Sequence, residues 1–194
     1  MPNSAYASAA SPVASGGIAV APLGSAIPVD TSTALNAAFK RLGYVDKDGL
    51  SPAGEAPSFN NIFAWGGDLV AAPMESKATN EWEFNLLEIL NPDVAKLVFG
   101  ETNVTVTPAT VSSGTEIAIL DNGFVIPRMA VVFDMLYAGK GLRFACPDVQ
   151  LVKTEEGAYT DAELSFYKMK ATAFPNASGV SVYRYYLNTD KLAA

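Results

Sequence analysis

The chain has 194 residues, of which 49% are hydrophobic and 17% are charged, and its formal net charge is −7. This length suits one large β domain, or one domain with arms, and the composition is typical of a folded chain. The 13 basic residues are scattered, with no cluster longer than Lys40 and Arg41. These features argue against two full domains and against a protein that binds nucleic acid tightly.

Cysteine and histidine usage narrows the possible chemistry further. Cys146 is the only cysteine and histidine is absent, so no intrachain disulfide can form and the commonest metal ligand and general base is missing. The N-terminus lacks the charged and apolar regions of a signal peptide, and no apolar run approaches the ~20 residues of a membrane-spanning helix. We expect a soluble protein of cytoplasmic origin.

The predicted domain begins after an N-terminal arm. Residues 1–17 are almost all Ala, Ser, Pro and Gly, whose small side chains bury too little area to offset their ordering entropy, so we predict a flexible arm. Residues 18–190 are predicted to form a single domain, followed by a tail at 191–194. Apolar residues at helical spacing, with Gly43 after them, predict a short helix over 33–42.

A long excursion is predicted over residues 46–80. This segment is rich in glycine and proline and has no helical periodicity, although short apolar pieces occur at 62–65 and 69–72. Structureless loops of this length are uncommon in compact domains unless they are functional. The pattern therefore indicates a projecting loop or an irregular hairpin.

The remainder of the chain reads mainly as strands. Residues 81–89 alternate between apolar and polar side chains, as expected for a strand with one buried face. Asn91 as N-cap, Pro92 in the first turn and Gly100 at the end frame a helix. Further strands are predicted at 104–107, 116–120, 128–137, 142–146, 149–154, 162–174 and 180–187. The sequence thus predicts a mainly β sandwich or barrel with one packed helix.

Sites of chemistry are weakly indicated. Residues 44–55 imitate part of a calcium-binding EF-hand loop, but Tyr44 stands where the first carboxylate is needed. The stretch from Gly139 to Gly141 lacks the spacing of a phosphate-binding loop. Cys146 has no histidine to activate it and is expected to be buried and structural. We expect no catalytic residue, no metal and no cofactor.

Three stretches of the sequence share one family pattern in their order and spacing. They are 33–45 (TALNAAFKRLGYV) followed by Asp48 and Gly49, then 62–68 (IFAWGGD), then 83–88 (EFNLLE) running into 91–107. Together they resemble the major tail tube proteins of siphophages that infect actinobacteria. The resemblance covers most of residues 20–190, and it rests on the three stretches taken together rather than on any one of them. Residues 69–80 depart from the pattern, since residues 71–74 are more apolar than expected there.

The resemblance implies a specific architecture and role. The implied fold has two packed antiparallel β-sheets with a flanking α-helix and a long loop, and the subunits form hexameric rings. The implied rings stack into a tail tube around a tape-measure protein that is later replaced by passing DNA, and tail terminator and tip proteins close its ends. The implied location is the virion tail, after assembly in the host cytoplasm. The resemblance carries over no catalytic residue, so we expect a structural protein rather than an enzyme.

Contact residues are expected in the excursion. The stretch 46–61 lies outside every predicted core element and is assigned to ring stacking. Trp65 fits equally well as a core anchor for the excursion or as an aromatic anchor at a subunit contact. The residues assigned to ring stacking or subunit contact are Asp46, Asp48, Glu55, Phe59, Trp65 and Asp68. Glu81 and Glu83 are assigned to the lumen, where like-charge repulsion would keep DNA from adhering.

Two other classes of protein fit the same composition. A β-rich capsid decoration protein or surface binding module would remain a small closed oligomer instead of forming tubes. An enzyme built on a β-barrel, such as a flavin-dependent oxidoreductase, would carry a bound chromophore.

Overall fold

The computed structural model describes residues 7–14 and 16–190, and the predicted tail at 191–194 lies outside them. The described residues are mainly β, which confirms that part of the predicted fold class, with one α-helix, α1 (Pro92–Phe99), and a 3₁₀ turn at Glu101–Asn103. The strands, numbered β1 to β15 in chain order, are Ser11–Pro12, Ile18–Pro22, Lys40–Arg41, Ser51–Pro52, Ser58–Phe59, Ile62–Phe63, Leu69–Ala71, Met74–Ser76, Asn80–Leu86, Val104–Thr107, Glu116–Ile119, Met129–Tyr137, Lys140–Glu156, Tyr167–Ala173 and Tyr183–Leu187.

Nine of these strands form one antiparallel sheet. Its order is β3-β2-β12-β13-β14-β9-β4, with β1 also paired to β12 and β15 also paired to β13. The sequence predicts two strands at 142–146 and 149–154, whereas the structure has the single strand β13. The register of β13 against β12 shifts between Cys146 and Val149, beside Pro147. A bulge at this point accommodates the proline and bends the strand without ending it.

The large sheet curls over on itself. Strands β9 and β12 are three steps apart in the sheet, which would separate them by about 14 Å if it were flat. The rings of Trp82 on β9 and Phe133 on β12 nevertheless lie 5.2 Å apart, and Phe84 meets Phe133 edge-on at 6.2 Å. The core therefore lies between two halves of one continuous sheet. Residues 40–52 connect the two edges, since β3 pairs with β2 and β4 pairs with β9.

The helix α1 packs on this core, and its prediction is confirmed. The side chain of Asn91 accepts a hydrogen bond from the amide of Asp93, and Pro92 occupies the first turn. Gly100 ends the helix with a positive φ of 92°. The buried face of α1 includes Phe99, whose ring meets Tyr167 of β14 edge-on at 5.7 Å.

The helix predicted over 33–42 is wrong. Residues 24–39 form turns and bends, with the carbonyls of Asp30 and Thr33 bonded to Arg143 on the face of the sheet turned away from the core, and residues 40–41 become strand β3. Ser32, which directly precedes the predicted helix, donates its amide to the side chain of Asp30. Of the apolar residues behind the prediction only Leu42 is buried, at the edge of β2. Pairing with β2 satisfies the backbone there, which overrides a modest helical preference. We name residues 24–39 the strap.

The sheet also reaches into the predicted N-terminal arm. Ser11 and Pro12 pair with Leu136 and Met135 at the edge of β12. The ammonium of Lys140 donates a hydrogen bond to the carbonyl of Ala7. The order in residues 7–14 thus comes from backbone and lysine contacts with the sheet rather than from burial of its small side chains.

Candidate functional site

Residues 51–80 form a long antiparallel hairpin that extends from the sheet. Its base is held by β4, which pairs with β9, and by reciprocal hydrogen bonds between Glu55 and Thr79. Gly54 permits this close base, because a Cβ there would lie 2.2 Å from the carbonyl oxygen of Thr79. Beyond the base, β5 pairs with β8 and β6 with β7, and the chain reverses at Gly66 and Gly67, both at positive φ. We name Ser58–Ser76 the distal hairpin.

The distal hairpin exposes large apolar side chains on both of its faces. Trp65 lies at the tip and is fully exposed, which is incompatible with the core-anchor interpretation of this residue. Seven apolar residues of the distal hairpin are each at least 46% exposed: Phe59, Ile62, Phe63, Trp65, Leu69, Val70 and Met74. From typical side-chain areas, the seven expose on the order of 700 Å². Each of the two faces therefore carries an area comparable to the largest apolar patch of a typical monomer, ~300–600 Å².

Three of the four acidic residues assigned to contacts lie near the base of the hairpin, and the fourth, Asp68, lies near its tip. Asp46 and Asp48 border an open cleft of about 460 Å³ whose floor includes Ile18, Phe133 and Met135. Asp46 is fixed there, because its amide donates to the carbonyl of Asn85. Glu55 is exposed beside Thr79, whereas Asp68 is exposed next to the tip and accepts the amide of Ala64 through its own carbonyl. The six predicted contact residues therefore divide between the base of the hairpin and its distal end.

Glu81 and Glu83 lie on the polar face of β9, where each is paired with a lysine of β14. Their carboxylates lie 2.8 Å and 3.1 Å from the ammonium groups of Lys170 and Lys168, respectively. The hydrogen bond from Lys170 is the main reason that the pKa of Glu81 is lowered. The hydroxyl of Thr172 also donates to Glu81. This face is thus a ladder of alternating charge, unlike the uncompensated acidic face that the sequence suggested.

The structure contains a buried ionic cluster that the sequence did not predict. Asp134 and Arg143 occupy opposite positions on β12 and β13, and the Asp134 carboxylate accepts hydrogen bonds from both Arg143 and Arg41. One signal was available: Asp134 interrupts the apolar run of β12, and a charged residue buried in a strand needs a partner.

Groups that could perform chemistry are few in this structure. Burial raises the pKa of the Cys146 thiol to about 12, which disfavours the nucleophilic thiolate. Across residues 7–14 and 16–190, no three Cys, Asp or Glu side chains are grouped so that they could hold a metal ion. The helix of the described chain is also too short to cross a membrane.

No protein-family model matches this chain, and no curated protein matches it. Function is therefore inferred from the residues and geometry described above.

Proposed function

We propose that this chain is a structural virion protein, the major tail subunit of a long-tailed phage, and that it forms the stacked hexameric rings of the tail tube. The curled sheet with one flanking helix supports a sandwich or barrel of the tail-tube type. The sequence resemblance of residues 33–107 supports the same proposal. The tape-measure protein, the terminator and tip proteins and passing DNA are the partners that this role entails.

The exposed distal hairpin is the observation that carries the proposal. Removing these seven large apolar side chains from water would lower the free energy of an assembly by ~25 cal/mol per Å² of apolar area buried. The hairpin's apolar area, on the order of 700 Å², is close to the ~800 Å² that each partner of a standard protein interface buries. A second copy of this chain could bury this area without any other protein. Association through the hairpin would stabilise an assembly of copies.

The position of the hairpin favours assemblies that grow. A projecting element binds most readily to a different surface of the neighbouring copy, which makes the contact head-to-tail. Such contacts form a ring if the rotation between copies closes, or a filament if it does not. We propose two contact surfaces. One is the hairpin base, with Asp46, Asp48 and Glu55, and the other is the distal part, with Phe59, Trp65 and Asp68. Glu81 and Glu83 remain the proposed lumen residues.

Replacing the distal hairpin tests the proposal. A Gly-Ser linker joined to Pro57 and Lys77 keeps the Glu55–Thr79 base and leaves β9 paired. We expect the full chain to form hexamers, rings or tubes in sedimentation and electron microscopy, and the variant to remain a monomer whose circular dichroism keeps the β signal of the folded sheet. A matched control replaces the exposed turn 108–115, between β10 and β11, with the same linker.

Each possible outcome decides between the candidates. Tubes formed by the hairpin variant would exclude the hairpin as the assembly element. A full-length chain that stays monomeric at high concentration and raised salt would overturn self-assembly altogether. A small closed oligomer that never stacks would favour a capsid decoration protein or surface binding module.

A further inference from the structure

Asp134 and Arg143 are the two charged residues that are buried within the described part of the chain. They face each other across β12 and β13, and the guanidinium of Arg143 binds both carboxylate oxygens, with Nη2 lying 3.2 Å from Oδ2. Arg41 of β3 donates to the same carboxylate at 2.9 Å. One carboxylate therefore serves two guanidinium groups.

This arrangement leaves one positive charge without a carboxylate in a site largely shielded from water. A buried charge is tolerated only if other polar groups replace its hydration. Backbone carbonyls fulfil this role: Nη1 of Arg143 donates to those of Asp30 and Thr33, at 2.9 and 2.6 Å. Arg41 donates to the carbonyl of Gly16 at 2.5 Å. The segments that supply these carbonyls are consequently held by the cluster.

The strap has little else to hold it on the sheet. Pro28 is its one buried residue, and its other hydrogen bonds are largely local turns, such as the amides of Ser32 and Thr33 donating to the Asp30 side chain. On the face of the sheet that carries Asp134 and Arg143, the other buried residues have small side chains. They are Ala19, Ala21, Ala130, Val132 and Ala145. Each of these small side chains has little apolar area to bury, so polar anchoring of the strap carries more weight there.

We propose that Arg143, oriented by Asp134 and supported by Arg41, is a latch that holds the strap closed over the outer face of the sheet. The strap opens as a unit while the nine-stranded sheet stays folded, because segments with few buried contacts open at lower free energy than the core. Opening uncovers the alanine-rich face of β2, β12 and β13. The latch thus controls access to an apolar sheet surface that the closed subunit hides.

Arg143→Lys tests the latch in the full chain. Lysine keeps the charge beside Asp134 but lacks the planar fork that reaches the carboxylate and two carbonyls at once. Hydrogen exchange followed by mass spectrometry should show at least tenfold faster exchange of the Ser32 and Thr33 amides, with β12 to β14 unchanged. Thermolysin should cut the strap faster, at Leu35 or Phe39. The matched control is Arg128→Lys, which alters a bidentate pair with Asp148 away from the strap.

A second variant approaches the latch from the strap and leaves the buried cluster intact. Asp30→Ala removes the side chain that orders the turn presenting the carbonyls to Arg143. It should speed thermolysin cleavage of the strap in the same way, with normal exchange in the sheet. Strap exchange and cleavage unchanged in both variants would overturn the proposal. Equal acceleration across strap and sheet in Arg143→Lys would also overturn it, because the cluster would then brace the whole core.

Discussion

The carboxylate of Glu81 lies 2.8 Å from the ammonium of Lys170, on the strand paired alongside it. The register places Thr172 opposite Glu81 and Lys170 opposite Glu83, so the ion pair of each glutamate is with the diagonal lysine. The polar face of β9 and β14 is therefore close to neutral in its centre. Because Lys168 and Lys170 offset the charge of the two glutamates, this face on its own repels DNA only weakly.

The ladder predicts that reversing Glu81 and Glu83 to lysine does more than change a wall charge. Four lysines would then share one face, and like charges on neighbouring strands are destabilising. We expect E81K/E83K to lower Tm by a few degrees. Adding K168E/K170E should restore Tm, because the pairs re-form with opposite polarity; thermal unfolding followed by circular dichroism measures both.

The same two variants separate folding from DNA passage. If Glu81 and Glu83 line the lumen, complementing a defective phage with E81K/E83K should give tails that eject DNA slowly. The quadruple variant, whose net charge is that of the wild type, should eject normally. Normal ejection by tails of E81K/E83K would place this face outside the channel.

Tryptophan fluorescence should report burial of the distal hairpin. Of the two tryptophans, Trp82 is in the core and Trp65 is fully exposed. In dilute monomer, acrylamide should quench one fraction of the emission readily, and assembly should remove that fraction with a shift to shorter wavelength. Trp65→Phe should abolish the change. An unchanged quenchable fraction in assembled protein would show that the hairpin tip stays in solvent.

Acid should loosen the strap through Asp30. Hydrogen bonds from Thr33 and Ser32 lower the pKa of this carboxyl from 3.8 to about 2. The ionised group therefore stabilises the folded turn above pH 3.8, and this contribution is lost as the pH falls towards 2. Pepsin cleavage at Leu35 or Phe39 should accelerate over this range relative to D30N, which keeps an acceptor but does not titrate. Parallel profiles for the two proteins would contradict the prediction.

Cys146 should be unreactive until the domain unfolds. Burial raises its pKa from 9.0 to about 12, so near pH 8 its thiolate fraction is about a thousandfold below that of a free thiol. A disulfide reagent should label the native protein at least that much more slowly than protein in urea. The labelling rate in dilute urea then measures opening of the sheet between β12 and β13. Rapid labelling of native protein would mean that the strand bend at Pro147 admits solvent.

The two predicted helices show where sequence reasoning succeeds and where it fails. Helix α1 was predicted because Asn91, Pro92 and Gly100 act on neighbouring backbone groups, so their effect is local. The apolar residues in 33–42 also have helical spacing. In the structure, however, residues 40–41 pair with the edge of β2, and Arg143 donates a hydrogen bond to the carbonyl of Thr33. Those partners lie far away in the sequence.

The candidate site was also predicted only in part. Glycines, prolines and apolar pieces indicated an excursion over 46–80, and the structure shows that its apolar side chains point into solvent. The sequence left Trp65 undecided between core and contact, since the same residue type serves both. Because Trp65 is exposed at the hairpin tip, it is not a core residue.

The sequence by itself determined the β class, the position of α1 and the scarcity of reactive groups, because period-two alternation, capping and residue type need no distant partner. Only the tertiary structure decided that Glu81 meets Lys170, that Asp134 holds Arg41 and Arg143, and that the strap lies over the sheet. These contacts join residues up to 113 positions apart. They depend on strand order and on how far the sheet curls, and both are set by the packing of the whole core.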